Sequence, residues 1–216
     1  MTSYRDWVLS EIRKGEDSTK IKQITSIGDE FLEIISQKGH HLVVGFADSK
    51  YVSSKDVQDL LATENQPHII IAPYKSIWSG SAINYARQQN LGWGGIGELT
   101  RAIDSDDVAA IQKKEYEFVE SGLNKHTKVQ RLEREFDRVF TIHRINGLSP
   151  LKITLINEYE LTADHVTHAS EIYGSFDIVL KTNPNGNITG MAEMAAEHLS
   201  VKICSWRGLL GRLNKR

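Results

Sequence analysis

Cysteine is almost absent from this chain: Cys204 is the only one among 216 residues. A single thiol excludes an internal disulfide framework and any zinc site built on a cysteine cluster, and it fits a reducing compartment. Long apolar runs are missing as well. No window approaches ~18 uninterrupted apolar residues, so no membrane span is expected. The opening stretch from Met1 to Trp7 shows neither an apolar core nor a small-residue cleavage pattern, and the expectation is a cytoplasmic protein. Nor is there an excess of one charge, since 26 Lys and Arg face 28 Asp and Glu. With a pI near 6.5 the molecule as a whole is no magnet for phosphate backbones or anionic lipid, and a nucleic-acid contact would need a local basic patch. What is present is ordinary globular composition, 40% hydrophobic and 25% charged, which excludes disorder, collagen and low complexity. At 24.4 kDa the chain lies between one large domain and two small ones.

A candidate internal repeat bears on that choice. Sliding the chain on itself by about 108 to 110 residues brings the two halves into correspondence. Asp29-Glu-Phe-Leu-Glu-Ile34 meets Asp137-Arg-Val-Phe-Thr-Ile142, and Gly39 meets Gly147. Val52-Ser-Ser-Lys-Asp-Val57 meets Leu161-Thr-Ala-Asp-His-Val166, and Ile69-Ile-Ile71 meets Ile178-Val-Leu180. Identities are few, but apolar positions and turn residues keep step over roughly 90 residues. Two unrelated α/β segments can share such a pattern; the ordered succession of matches favours a duplication. The chain therefore reads as two copies of one module, 1–104 and 105–216, each near the lower end of domain size.

Each copy opens with an amphipathic helix. Tyr4, Trp7, Val8 and Ile12 share one face, with Gly15 as the stop; Val108, Ile111, Glu115 and Val119 form the second stripe, ended by Gly122. The segments 20–27 and 128–135 are of uncertain type. A hairpin follows, turning at Gln37-Lys38-Gly39 in the first copy and at Asn146-Gly147 in the second, where both residues accept positive φ. Val57, Leu60 and Leu61 mark the next helix, capped by Ser53 or Ser54, and Thr162 opens its counterpart. His68-Ile-Ile-Ile71 and Phe176-Asp-Ile-Val-Leu180 are continuous apolar runs of the kind found in strands covered on both faces. A helix, a short strand and a last helix complete each copy. The fold class predicted is α/β, two tandem α-β-β-β-α-β-α-β-α modules, each a mixed sheet with helices on both sides.

That order of elements, carried by Leu42-Val-Val44, Val52 to Val57, His68 to Ile71, Ala82 to Ala86 and Gly97-Glu-Leu99, and in the second copy by Phe176 to Asn183 and Ala192 to Ala196, resembles the PD-(D/E)xK nuclease fold and, within it, the Mrr-type restriction endonucleases. The resemblance implies an acidic residue at the start of the second strand and an acid-x-Lys at the end of the third. Two carboxylates there would hold Mg²⁺, which would lower the pKa of a bound water and steady the charge on the transferring phosphate, while the lysine positions the nucleophile. Asp29 is the candidate first acid and Asp48-Ser49-Lys50 the candidate acid-x-Lys, with Asp29 and Asp48 as metal ligands if the site is active. Departures are visible. Counting back from Val57 by the spacing of the resembled pattern places Val44-Gly45-Phe46 at the catalytic position. The second copy has Asn157 opposite Asp48, Tyr159 opposite Lys50 and Ile153-Thr-Leu155 opposite the strand end. The expectation is a nuclease-fold protein that has lost catalysis, carries no cofactor (Mg²⁺ if any activity survives) and binds nucleic acid or a protein partner, in restriction or phage defence as the resemblance suggests. The alternatives are a Mg²⁺-dependent DNA endonuclease working through the first copy, and a nucleotide sensor built of two Rossmann-like halves.

Two loops are candidate phosphate sites, because ligands of open α/β sheets sit outside the carboxyl ends of strands and helix N-termini offer free N–H groups there. In the second copy the loop supplies Lys181, Asn183, Asn185 and Thr189; its counterpart supplies Lys75, Trp78 and Ser79, with an aromatic able to stack on a base. The same residues also suit a turn and a helix cap. Gly92-Trp-Gly-Gly-Ile-Gly97 lacks the strand-loop-helix phosphate fingerprint and reads as a strand passing close under a helix. His165 and His168, three apart beside Asp164 and Glu171, have metal-like spacing but fall on a polar helix face. Asp104-Ser-Asp-Asp107 reads as a helix N-terminus, and the basic tail from Arg207 to Arg216 as charges suited to a helix C-terminus or to phosphates.

Overall fold

The computed structural model describes residues 3–215. The chain forms two compact units, Met1–Lys113 and Lys114–Arg216. In the first unit, helix α1 (Tyr4–Lys14) and a 3₁₀ turn lead into strands β1 (Ile21–Ile27), β2 (Phe31–Ser36) and β3 (His41–Phe46); then come β4 (Tyr51–Val52), α2 (Ser54–Leu61), β5 (Ile69–Ile71), β6 (Ile77–Trp78), α3 (Gly80–Gln88), β7 (Gly92–Gly94) and α4 (Ile96–Ala102). The sheet runs β1-β2-β3-β5-β7; its first three strands are antiparallel and the last two join β3 in parallel. The second unit holds α5 (Lys114–Asn124), β8 (Val129–Phe136), β9 (Val139–Arg144), β10 (Leu151–Ile156), α6 (Ala163–Tyr173), β11 (Ile178–Lys181), α7 (Gly190–His198), β12 (Lys202–Cys204) and α8 (Trp206–Arg212). Its sheet has the same order and the same directions, β8-β9-β10-β11-β12. Both sheets are mixed, so the α/β class stands.

Core placement follows the pleat. Leu32, Ile34, Leu42, Val44, Phe46, Ile69 and Ile71 recur at every second position and are buried on one face beneath Val8 and Ile12 of α1 and Leu99 and Ala102 of α4. In the second unit Ile156 and Val179 meet Val166 and Ala169 of α6 and Ala192 and Ala196 of α7. The small residues on α3 and α7 let those helices lie close to their sheets. The continuous apolar run 69–71 is fully buried, as strands covered on both faces require.

The segments of uncertain type are the edge strands β1 and β8. Their burial does not alternate, and both carry a register shift that defeats a period of two. The stripe from Val108 to Val119 is not one helix: residues 105–113 are turns and irregular chain of the first unit, and α5 begins at Lys114. The acidic run therefore caps no helix. Asp104 pairs with Lys38 at 3.3 Å and Asp106 lies 3.8 Å from His40, both on the β2–β3 hairpin. Gly122 does not stop α5 either. A Cβ there would overlap the Trp206 ring, so the glycine permits helix α5 to pack against an indole that also meets Phe118 at 4.9 Å. At the hairpin turns the expectation held, with Gly39, Asn146 and Gly147 all at positive φ. Among the described residues no helix is long and apolar enough to cross a membrane.

Candidate nucleic-acid interface

The residues with candidate catalytic roles lie exposed in two separate loops. Asp29 sits in the β1–β2 turn with its side chain fully in solvent, 3.8 Å from the Arg5 guanidinium. Arg5 is held in turn by Asp6 at 2.7 Å and by the Gly28 carbonyl. Asp48 and Lys50 lie beyond the end of β3, exposed, in the loop that precedes β4. The strand end itself is filled by Val44 and Phe46, both buried, while Gly45 packs against Phe31, Pro67 and Ile70. Tyr4 lies close to Asp48: its hydroxyl donates to the Ala72 carbonyl at 2.9 Å, and burial, with the charges of Asp48 and Glu98, pushes the phenol up. Among the described residues no group of three or more His, Cys, Asp and Glu could hold a metal ion.

The second unit treats its corresponding acid differently. Asp137 is buried in the β8–β9 turn, where the Tyr116 hydroxyl donates to its carboxylate at 3.1 Å. Burial and the charge of Asp137 push the Tyr116 phenol well up. Arg138 keeps its proton although burial opposes the charge, because Tyr116, Glu115 and Asp137 surround it. It reaches Glu115 at 3.4 Å and the Leu155 carbonyl at 3.3 Å. The arginine of this corner thus pairs with Glu115, while the Asp137 carboxylate is held by the Tyr116 hydroxyl. Ile153 and Thr154 are buried on β10, and Asn157 and Tyr159 are exposed beyond it.

In the asparagine loop the candidate residues bond within the loop and to the helix it opens. Lys181 is buried and turned back on its own loop, donating to the carbonyls of Asn183 at 2.7 Å and Asn185 at 2.6 Å. Asn183 accepts from the Asn185 N–H at 3.0 Å, and Thr189 caps α7 by accepting from the Ala192 N–H at 3.1 Å. These four residues build the loop, and the ammonium is not offered to an anion outside it. In the matching loop Trp78 and Ser79 face inward, whereas Lys75 is exposed. Trp78 is 3% exposed, packed at 5.5 Å against Trp93, and cannot stack on a base; Ser79 is buried and caps α3 through the Ala82 N–H at 3.1 Å. His165 is engaged at the start of α6, its Nδ1 accepting from the Thr162 N–H at 3.2 Å, while His168 lies 3.6 Å from Glu171 on an exposed face. In the basic tail Arg207 and Lys215 are exposed, and Arg216, like Met1 and Thr2, lies outside the described residues.

What the structure does bring together is Lys50 and Lys75. Strands β4 and β6 pair in parallel, Tyr51 with Ile77 and Val52 with Trp78. The Ile77 N–H donates to the Lys50 carbonyl at 2.9 Å, and the Ser76 hydroxyl to the Ser49 carbonyl at 2.6 Å. Residues 73–76 form a β-turn closed by the Ser76 N–H on the Pro73 carbonyl at 2.9 Å, which puts Tyr74 and Lys75 at its two corners. Two Lys–Tyr neighbours, Lys50-Tyr51 and Tyr74-Lys75, thus stand side by side at the amino ends of β4 and β6, in the chain that follows the carboxyl ends of β3 and β5. Tyr74 is 85% exposed and Tyr51 49%. Lys113 reaches over the Tyr74 ring, 5.9 Å from its centroid. Among the described residues neither Lys50 nor Lys75 enters an ion pair. Tyr51 and Lys113 were not singled out from the sequence; the paired Lys–Tyr dipeptides were the available signal, and only the β4–β6 ladder makes them adjacent.

Compared with protein-family models, with curated proteins and with solved structures, the chain matches none.

Proposed function

We propose that this protein is a tandem pair of nuclease-like α/β units, descended from one duplicated module, that binds nucleic acid through its first unit and does not cleave it. The observation that carries the binding reading is the cluster of exposed lysines and tyrosines tied together by β4 and β6. Cations that track a phosphate chain, interleaved with rings that accept bases, are the recurrent means of holding nucleic acid without reading its sequence. The shared strand order of the two sheets and the recurrence of a bridge between Leu161 and Ile188, where the first unit has β4 and β6, support the duplication. Val44, Gly45 and Phe46 at the strand end, and the buried Asp137 held by the Tyr116 hydroxyl, support the loss of catalysis and of any need for Mg²⁺. A place in restriction or phage defence follows from the nuclease resemblance.

The test has two arms. Labelled DNA and RNA are titrated with the full chain at salt from about 50 to 200 mM, where three lysines neutralising up to three phosphates give a log–log slope of roughly −2 to −3. The double variant Lys50→Glu, Lys75→Glu should abolish binding with unchanged melting. In the second arm the same nucleic acids are incubated with Mg²⁺ or Mn²⁺. Cleavage by the wild type that disappears in Asp48→Ala would overturn the non-catalytic reading.

A further inference from the structure

We infer that the nucleic acid held by the first unit is single-stranded, with unpaired bases stacked on Tyr74 and Tyr51 and the phosphates held by Lys50, Lys75 and Lys113. This rests on the binding reading above and narrows its ligand. In a duplex every base already has neighbours on both faces, so an exposed protein ring gains nothing from it except at an end. A duplex must then be held through its phosphates, and tight duplex binding draws on about six to ten of them. The first unit is poorly equipped for that. Residues 1–113 carry 12 Lys and Arg against 15 Asp and Glu, so three clustered lysines are a local patch on an acidic background.

For a single strand the same patch is well arranged. Tyr74 presents nearly all of its ring to solvent at the corner of a turn, a position that contributes nothing to the core. The turn is fixed by its closing hydrogen bond and by the Ser76 hydroxyl on the Ser49 carbonyl, so little ordering remains to be done on binding. Lys113 approaches the ring at 5.9 Å and adds its charge beside it. Tyr51 and Lys50 repeat the pair on the neighbouring strand. Such rings accept any base, so the site should be tolerant of sequence.

Fluorescence anisotropy of the full chain tests this with oligo(dT), oligo(rU) and a mixed-sequence duplex, each of about 20 nucleotides, longer than the ~4–16 a small single-strand site covers. At about 0.15 M salt at least one of the two single strands should bind 10-fold or more tighter than the duplex, and the two homopolymers separate a DNA from an RNA ligand. Tyr74→Ala should weaken that single strand by about 5- to 150-fold and leave the duplex unchanged, whereas Tyr74→Phe should retain binding. Melting temperature of each variant should match the wild type, because the ring lies outside the core. Duplex binding as tight as single-strand binding, insensitive to Tyr74→Ala yet lost in Lys75→Glu, would overturn the single-strand inference and leave the nucleic-acid reading standing. Failure of all three probes to bind would remove both.

Discussion

Lys181→Met separates a lysine that builds a loop from one that binds phosphate. Methionine keeps the length and the apolar stem of the side chain and removes only the ammonium. In the wild type that ammonium donates to two backbone carbonyls at 2.7 and 2.6 Å. Hydrogen bonds to charged groups contribute about 1.5–3 kcal/mol each, so the gross loss is about 3–6 kcal/mol. Part is recovered, because the wild type bears the cost of holding an ammonium at a site 8% exposed, and methionine does not. A net destabilisation of about 1–3 kcal/mol remains, carried by the stranded carbonyls of Asn183 and Asn185. For a unit of about 100 residues this lowers the melting temperature by roughly 5 to 20 °C. Circular dichroism melts read it directly. The same melts repeated across a series of inorganic phosphate concentrations should give identical phosphate responses for wild type and variant. A variant that melts with the wild type in buffer but loses a phosphate-dependent gain in stability would refute the loop-building role and restore the anion site.

Asp137→Asn should destabilise the second unit by about 1–3 kcal/mol in urea denaturation, since it takes the charge from the buried carboxylate to which the Tyr116 hydroxyl donates at 3.1 Å, and Mg²⁺ should shift neither midpoint; a Mg²⁺-dependent gain confined to the wild type would show the carboxylate to be a metal ligand. Gly186→Ala should cost about 2–4 kcal/mol, because Gly186 has φ +77° and a Cβ would run into the Tyr159 carbonyl. A neutral effect on the urea midpoint would contradict that packing. His68 accepts from the Val43 N–H at 2.9 Å through Nδ1, and burial, with nearby His41, lowers its pKa from 6.5. The unfolded chain therefore takes up the proton first, and this contribution to stability is complete above about pH 6.5 and falls away as pH drops toward the folded-state value. Melts from pH 7.5 to 5 should show a steeper decline for the wild type than for His68→Gln; parallel curves would exclude the linkage.

Much of the scaffold could be read from residue order. The Asn146–Gly147 turn, the caps at Ser53 and Thr189, the fully buried run Ile69–Ile71 and the small residues Ala82, Ala86, Ala192 and Ala196 are local signals, and each lies where its pattern places it. Edge strands β1 and β8 were not legible, because a bulge breaks the period on which strand recognition depends. The apolar positions Val108 and Ile111 mimic a helix stripe, yet they pack on the first core from irregular chain. Gly122 carries the signal of a helix end and instead makes room for a ring more than 80 residues away in sequence.

The candidate site divides along the same line. Composition and pattern by themselves determined that the protein is α/β and that Lys75 and Lys181 occupy loops at the carboxyl ends of buried strands, since hydrophobic periodicity and turn chemistry act within a few residues. Only the tertiary structure decided that Lys181 folds inward while Lys75 faces water, that Trp78 is core while Tyr74 is surface, and that Lys50 joins Lys75. A side chain's direction at a loop depends on which distant backbone carbonyls and rings are packed against it, here Trp93 against Trp78 and the Lys50 carbonyl against Ile77. Those contacts are made across the sheet and leave no trace in the neighbouring sequence.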